Sequence, residues 1–562
     1  MKKPQVLLTL VILLFSKMLM TNLRASSDDR SWKERVKQGR SIVRARHGMV
    51  ASSQPLASEV GLAILKRGGN AVDAAIAMAA VLNVTEPMMT GIGGDAFMLV
   101  HWSKTGETKG LNASGRAPRA LSLDHFKNKG ITSMPDTGME AITVPGAFDG
   151  WTTLLDKYGT MKLADLLQPA IELAEQGFPV MEKTAADWAA NVDKLKQNPA
   201  AAASYLVDGR SPRAGEIFRQ PNLARTLTLL ARGGRDLFYK GEIARRIVDY
   251  CQKNGGFLTM EDLAAHRSEW VEPISTTYRG HTVLECPPSG QGLTALLALN
   301  ILEGFDLGAM SREPDLYYHT MIEAMKLAFA DRNKYIADPA FAKVPVSELL
   351  SKEYAAKRRS LIRPDVAMEQ PTPGQVAGGT DTTYFTVVDK ERNAVSFINS
   401  IYELFGSGIV AGDTGIVLHN RGAGFSLDPS HANRIEPGKR PFHTIIPAMV
   451  FKDGRFFMSF GVMGGATQPQ GHVQVLTNLI DMGMNLQQAI EAPRFRYMSG
   501  KRVIMEDEMT DAVIRRLVER GHERVRLEGI SVGGGQAIML DPATGTLAGA
   551  SDQRKDGLAL GY

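Results

Sequence analysis

Two adjacent threonines, Thr382-Thr383, open a run (TTYFTVVD) that reads as a β-strand. It turns at Lys390-Glu391-Arg392-Asn393 into a second strand, Ala394 to Ile401. An internal threonine is a weak nucleophile. If the chain is cut just before it, a free α-amine sits beside the hydroxyl. With a reference pKa of about 7.7–8.0, that amine can take the hydroxyl proton near neutral pH. The stretch ahead, Lys352 to Gly379, is polar and carries Pro371, Pro373, Gly374, Gly378 and Gly379. Its composition suits an exposed connection, whether a processing site or a plain surface loop.

A second constellation is Gly461-Val462-Met463-Gly464-Gly465, between a strand (RFFMSF) and a helix (PQGHVQVLTNLI). Unpaired N–H groups at a strand-to-helix turn can hold an anion or oxyanion, and glycines admit a close approach. A tight turn without a ligand is the plain alternative. The spacing is not G-x-G-x-x-G, which excludes a dinucleotide fingerprint. Arg116, in the loop Asn112 to Pro118, is suited to fork a carboxylate, although surface arginines are common. His443 in KRPFHTIIP is either a structural histidine or a base. There is no C-x-x-C or H-E-x-x-H.

These residues need positioning elements. Ser58 is expected to cap a helix ending at Gly68-Gly69, and a second helix from Ala71 to Val84 is apolar on every side, hence buried. Gly91-Ile92-Gly93-Gly94 precedes a strand and reads as a close-packed turn. Strands are expected at Ala96–Trp102 and Gly110–Ala113, and Val144 to Asp338 reads as mostly helical. From Thr382 onward strands dominate, with helices at Pro469–Met482 and Asp511–Arg520, a layered α+β pattern rather than βαβ repeats.

Bulk properties set outer limits. The chain has 562 residues, 44% apolar and 22% charged, and a formal net charge of +5. There is no Lys/Arg block or aromatic-interleaved basic stripe, so nucleic acid is not an expected partner. Lys2 and Lys3 precede an apolar run, Val6 to Phe15, and Ala25 offers a cleavage point: a secretory signal over residues 1–25, or an uncleaved anchor. An exported, periplasmic or secreted protein is expected, with a membrane as partner only if that segment is retained. Cys251 and Cys286 could pair in an oxidising compartment, but two cysteines without spaced histidines make no zinc cluster. No structural metal, cofactor or thiol chemistry is expected.

The segments GMVASSQPLASEVGLAILKRGGNAVDAAIA, NVTEPMMTGIGGDAFM, VPGAFDGW, CPPSGQG, DTTYFTVVD, FGSGIVAGDTGI, KRPFHTIIPAM, GVMGG and GASDQRKDGLALGY run in the order seen in γ-glutamyltranspeptidases, from about Gly48 to Tyr562. The chain therefore resembles that family of N-terminal-nucleophile hydrolases. The resemblance implies a four-layer αββα sandwich made as one precursor. It also implies self-cleavage between Asp381 and Thr382 into a large subunit (26–381) and a small one (382–562) that stay together. Thr382 matches the nucleophile, Ser400 a supporting hydroxyl, and Gly464 and Gly465 the oxyanion pair. The glutathione-cleaving members carry an arginine where this chain has Ser114. They have asparagine, glutamine and aspartate contacts where it has Tyr402, Arg421 and Gly424, and a serine pair where it has His443-Thr444. The stretch from Phe425-Ser426 to Lys439-Arg440-Pro441 is too short for a long lid.

The expected activity is a γ-glutamyl hydrolase or transpeptidase acting on glutathione-like amides through a threonyl acyl-enzyme, with water or an amino-acid or peptide amine as acceptor. Arg116, Tyr402, Arg421, His443 and Thr444 are the expected substrate contacts. The alternatives are an acylase for another small carboxylated amide, of glutaryl or oxamate type, and an uncut, inactive binding homologue.

Overall fold

The computed structural model describes residues 30–371, 382–526 and 532–562. The expected export segment and Asp381 lie outside them. Two seven-stranded sheets form the centre. In one, the strand Thr383–Val388 lies between Met49–Ser52 and Ala394–Ser400, and the latter pairs with Asp95–Trp102. In the other, Arg455–Met463 lies between Ala448–Lys452 and Gly534–Leu540. All these pairings are antiparallel.

Side-chain alternation along Thr383–Val388 assigns the layers. Tyr384 and Val388 enter an apolar cluster with Met449, Met463 and Ile538 of the opposite sheet. Phe385 and Val387 point the other way, into a cluster with the helix Ala71–Thr85. On the far side of the second sheet, Phe460 and Val462 pack with Leu296, Met325 and Leu476 of three further helices. Helix, sheet, sheet and helix thus stack in four layers, as expected. The period-2 strand produces this by sending successive residues to opposite faces. A hydrogen bond between the Thr386 and Ser459 hydroxyls (2.7 Å) joins the two sheets.

The helix Ala71–Thr85 is buried at all fifteen positions, as its all-round apolar sequence requires. Its neighbour Pro55–Lys66 is capped by Gln54, not Ser58. Pro55 takes the first helical position and the Gln54 side chain accepts from the Leu56 and Ala57 amides. Ser58 is instead a buried residue of that helix. The largest departure is in the stretch expected to be helical, where Glu269–Val271, Ile274–Tyr278 and His281–Glu285 are strands, two of them extending the second sheet. These runs are short, and their alternation is a weak signal between long helices. Cys251 and Cys286 are buried free thiols in different apolar clusters. No helix among the described residues is long and apolar enough to cross a membrane.

Candidate active site

The threonine pair is split by its surroundings. Thr383 opens its strand and its hydroxyl donates to the Glu86 carboxylate (2.9 Å), which also accepts from Ser53 (2.7 Å). Burial pushes the Glu86 carboxyl up, against the pull of these hydroxyls. Thr382, fully buried, places its Oγ1 3.1 Å from the Ser400 hydroxyl and 3.4 Å from Gln468 Nε2. Ser400 ends the adjacent strand and its Oγ accepts from the Tyr402 amide at 2.8 Å.

The backbone behind Ser400 is held by the glycine turn at Gly91–Gly94. A Cβ on Gly94 would stand 2.3 Å from the Ser400 carbonyl oxygen, so only glycine allows this approach. One residue earlier, the Asn399 side chain accepts from the Trp151 indole at 2.9 Å. This contact links the VPGAFDGW segment to the strand.

Gly464 and Gly465 form the turn between Arg455–Met463 and the helix Thr467–Ile480, with φ of +120° and +56°. Their carbonyls accept from the Thr467 and Gln468 amides, which starts the helix. Their own N–H groups donate to no described residue. Gln468 joins the two halves of the site. Its Oε1 accepts from the Ile446 amide (2.9 Å) while Nε2 faces Thr382. Gln291, from the CPPSGQG segment, donates to the carbonyls of Thr444 (2.7 Å) and Gly465 (2.9 Å).

Beside this arrangement is a cavity of about 390 Å³, walled by Tyr402, Thr444, Ala466, Gly424, Phe425, Arg332 and Asn333 among others. Thr382 is not among the lining residues, but Tyr402 connects to it through the Ser400 hydroxyl, and Thr444 connects to the glycine turn through Gln291. The short stretch after Phe425 contributes Ser426, Leu427, Asp428 and His431 to the wall.

The expected substrate contacts separate. Arg116 is 35% exposed and turned away, bound to Glu269 (3.1 Å), the Gly438 carbonyl (3.0 Å) and, at 3.5 Å, Asp338. With these partners it is not among the described residues that line the cavity. Tyr402 does line the cavity, in a left-handed conformation (φ +79°) that costs a bulky residue energy. Its ring covers the Arg421 guanidinium at 4.3 Å. Arg421 is therefore behind the wall. It donates to the Thr444 hydroxyl (3.0 Å) and lies 3.7 Å from Asp95.

Asp95 is buried and surrounded by His419 at 3.0 Å, Arg421 at 3.7 Å and His443 at 3.8 Å. Burial alone would raise its carboxyl. The charge and hydrogen bond of His419, then His443 and Arg421, outweigh that and bring it down to about 2. His443 packs against Phe97 and is held far below the usual imidazole range by burial first and by Arg421 second. It lies behind the cavity wall as a buried ring.

A group that could hold a metal ion lies elsewhere: His319, Glu323 and His522. Within it His319 Nδ1 and His522 Nε2 lie 2.8 Å apart, and Lys326 Nζ lies 2.8 Å from Glu323 Oε1.

Asp95, Gln291, Arg332, His419 and Gln468 were not singled out by sequence reasoning. Gln291 and Gln468 flank glycine-rich segments and Asp95 follows one. Nothing local marks Arg332 or His419.

The model of the gamma-glutamyltranspeptidase family matches residues 57–562. The chain belongs to that family. It is 43% identical over 523 residues to the glutathione hydrolase-like YwrD proenzyme of Bacillus subtilis (strain 168), covering 91% of this chain and 98% of the relative. It is 39% identical over 530 residues to the oxamate amidohydrolase proenzyme of Klebsiella pneumoniae, covering 92% and 98%. Its fold matches the crystal structure of cephalosporin acylase from Bacillus halodurans with a TM-score of 0.88 and 47% identity, over 94% of this chain and 98% of that one. Family members thus include enzymes named for quite different amides, which fits a shared cutting geometry beside a variable cavity.

Proposed function

We propose that this protein is a self-processing N-terminal-threonine amidase that removes a small acyl group bearing a terminal carboxylate from an amine. The observation that carries this reading is the meeting of Thr382, Ser400 and Gln468 beside a glycine turn whose N–H groups donate to no described residue.

In the precursor, the Thr382 hydroxyl attacks the Asp381 carbonyl. The amide C–N bond breaks as an ester forms, and water splits the ester to leave the Asp381 carboxylate and a free Thr382 amine. That amine then takes the hydroxyl proton as Thr382 attacks a substrate amide. The Gly464 and Gly465 N–H groups receive the oxyanion, each such donor contributing about 3–4 kcal/mol. The amine product departs with a proton, and water or another amine receives the acyl group. Thr382 is fully buried in the uncut chain, so the cut must also open its path to the cavity.

Both glutathione and oxamate carry a carboxylate on the acyl side of the amide. A γ-glutamyl group also brings an α-amine, which calls for an anionic partner. Among the described residues lining the cavity the one carboxylate is Asp428, and it binds the Ser430 amide and hydroxyl (2.8 and 2.7 Å) at the exposed rim. This favours amine-free acyl groups of glutaryl type over γ-glutamyl ones. The second reading, a glutathione hydrolase, is favoured by the 43% identity to the YwrD proenzyme.

Glutaryl and γ-glutamyl p-nitroanilides assayed in parallel separate the two. The glutaryl compound is expected to turn over faster, with both reactions lost in Thr382→Ala. Preference for the γ-glutamyl compound would overturn the choice of acyl group. Activity surviving in Thr382→Ala would overturn the mechanism.

A further inference from the structure

The cavity wall carries a guanidinium that neither the chain's motifs nor the expected contacts point to. Arg332, on the helix Pro314–Tyr335, is 4% exposed and lines the cavity. Its Nε donates to Asn333 Oδ1 and its Nη1 to Gln291 Oε1, both at 2.9 Å. Nη2 donates to no described residue. The guanidinium lies 4.0 Å from the centre of the Phe329 ring and 5.3 Å from that of Phe442.

Every one of these neighbours is neutral. Three other buried arginines stand beside a carboxylate: Arg494 by Asp552 at 2.8 Å, Arg440 by Glu269 at 2.9 Å, Arg421 by Asp95 at 3.7 Å. Among the described residues Arg332 has no such partner. Burial lowers it to about 10, which leaves it charged at neutral pH. A buried charge without a counter-charge is costly, and one facing a cavity is suited to a ligand that supplies it. A carboxylate fits, because a guanidinium N–H pair binds it with a strong charge-assisted bond. Gln291 then ties this group to the glycine turn through the Gly465 carbonyl.

We propose that Arg332 holds the terminal carboxylate of the acyl group and thereby selects carboxylated over neutral acyl amides. The assignment rests on the amidase reading above. The structural rival is an arginine kept only for its packing on Phe329 and its bond to Gln291.

The test compares glutaryl p-nitroanilide with its methyl ester, in which the same chain is uncharged, for the self-cleaved wild type, Arg332→Met, Arg332→Gln and Arg332→Lys. The wild type is expected to prefer the free acid by about 100-fold in kcat/KM, the scale of one charged hydrogen bond. Arg332→Met and Arg332→Gln bring the ratio near one, and Arg332→Lys recovers part of the preference. A wild type that prefers the ester, or neutral variants that keep the ratio or slow both compounds equally, would overturn the proposal. If no anilide is cleaved, the amidase reading fails by itself. Glutarate binding by calorimetry then decides the site: affinity falling at least about 30-fold in either neutral variant supports it, and equal affinity overturns it. Should Arg332→Met not fold, Arg332→Gln and the wild-type ratio still decide.

Discussion

The two halves of the candidate site differ in how they are built. The cutting half consists of Thr382, Ser400 and the Gly464-Gly465 turn, which lie on neighbouring strand ends and depend mainly on backbone geometry. The cavity half is assembled from side chains of distant segments: Arg332 on a long helix, Tyr402 on a loop with Arg421 of a short 3-10 helix behind it, Thr444 after another loop, and Gln291 behind them. Backbone geometry is coded locally by glycines and strand patterns and tolerates little change. A side-chain cavity can change its chemistry one residue at a time. The two halves should therefore respond differently to substitution, and that contrast can be tested.

The largest effect should come from the turn. Gly464 has φ +120°, and a Cβ there would meet the Gly533 Cα at 3.0 Å. Gly464→Ala is expected to slow self-cleavage by about 100-fold, through backbone strain and a displaced oxyanion donor. A time course of precursor loss on a denaturing gel measures this. A variant cut at the wild-type rate would break the distinction, because the turn would then be mere connection.

Next is the carboxylate behind the cavity. Asp95→Asn leaves Arg421 buried without a countercharge and disturbs His419 and the Gly115 amide, which donates to Asp95 at 2.9 Å. Denaturant unfolding should show a loss of about 3–5 kcal/mol. A change below 1 kcal/mol would mean that this charge group is not what supports the wall.

Acid sensitivity follows from the buried histidines. His266 is lowered to about 4 and His522 to about 2, both by burial first, and His443 falls well below its ordinary value. A histidine whose folded pKa is depressed takes up its proton in the unfolded chain first. Stability is therefore unaffected above about pH 6.5 and falls as pH drops toward the folded pKa, by about 1.4 kcal/mol per unit per histidine. Asp95, also depressed, adds a loss only between about pH 3.8 and 2. Melting temperatures from pH 8 to 5 should be flat and then decline, and His443→Gln should soften the decline.

The smallest effect is expected for Ser400→Ala. It removes one hydroxyl contact to Thr382, worth about 1 kcal/mol, and so slows cutting several-fold without stopping it.

The same contrast explains what could be read from the chain alone. The TTYFTVVD strand, the all-apolar helix and the GVMGG turn were legible because period and glycine placement are local properties. The four-layer arrangement came from the resemblance rather than from periodicity. The strands between Glu269 and Glu285 were hidden by their brevity. Arg116 looked like the carboxylate holder because its loop is bounded by glycine and proline, but it pairs with Glu269 and Asp338 of this chain. Arg332 lies in an ordinary helical stretch, LAFADRNKY. Only the absence of a described counter-charge, a three-dimensional fact, distinguishes it.

The most direct test of the account is the intact mass and N-terminal sequence of the purified protein, wild type beside Thr382→Ala. The account predicts that the wild type resolves into two polypeptides, the smaller beginning Thr-Thr-Tyr-Phe at residue 382, and that the variant remains one chain. A wild type that stays whole, or a variant still cut before position 382, would contradict it.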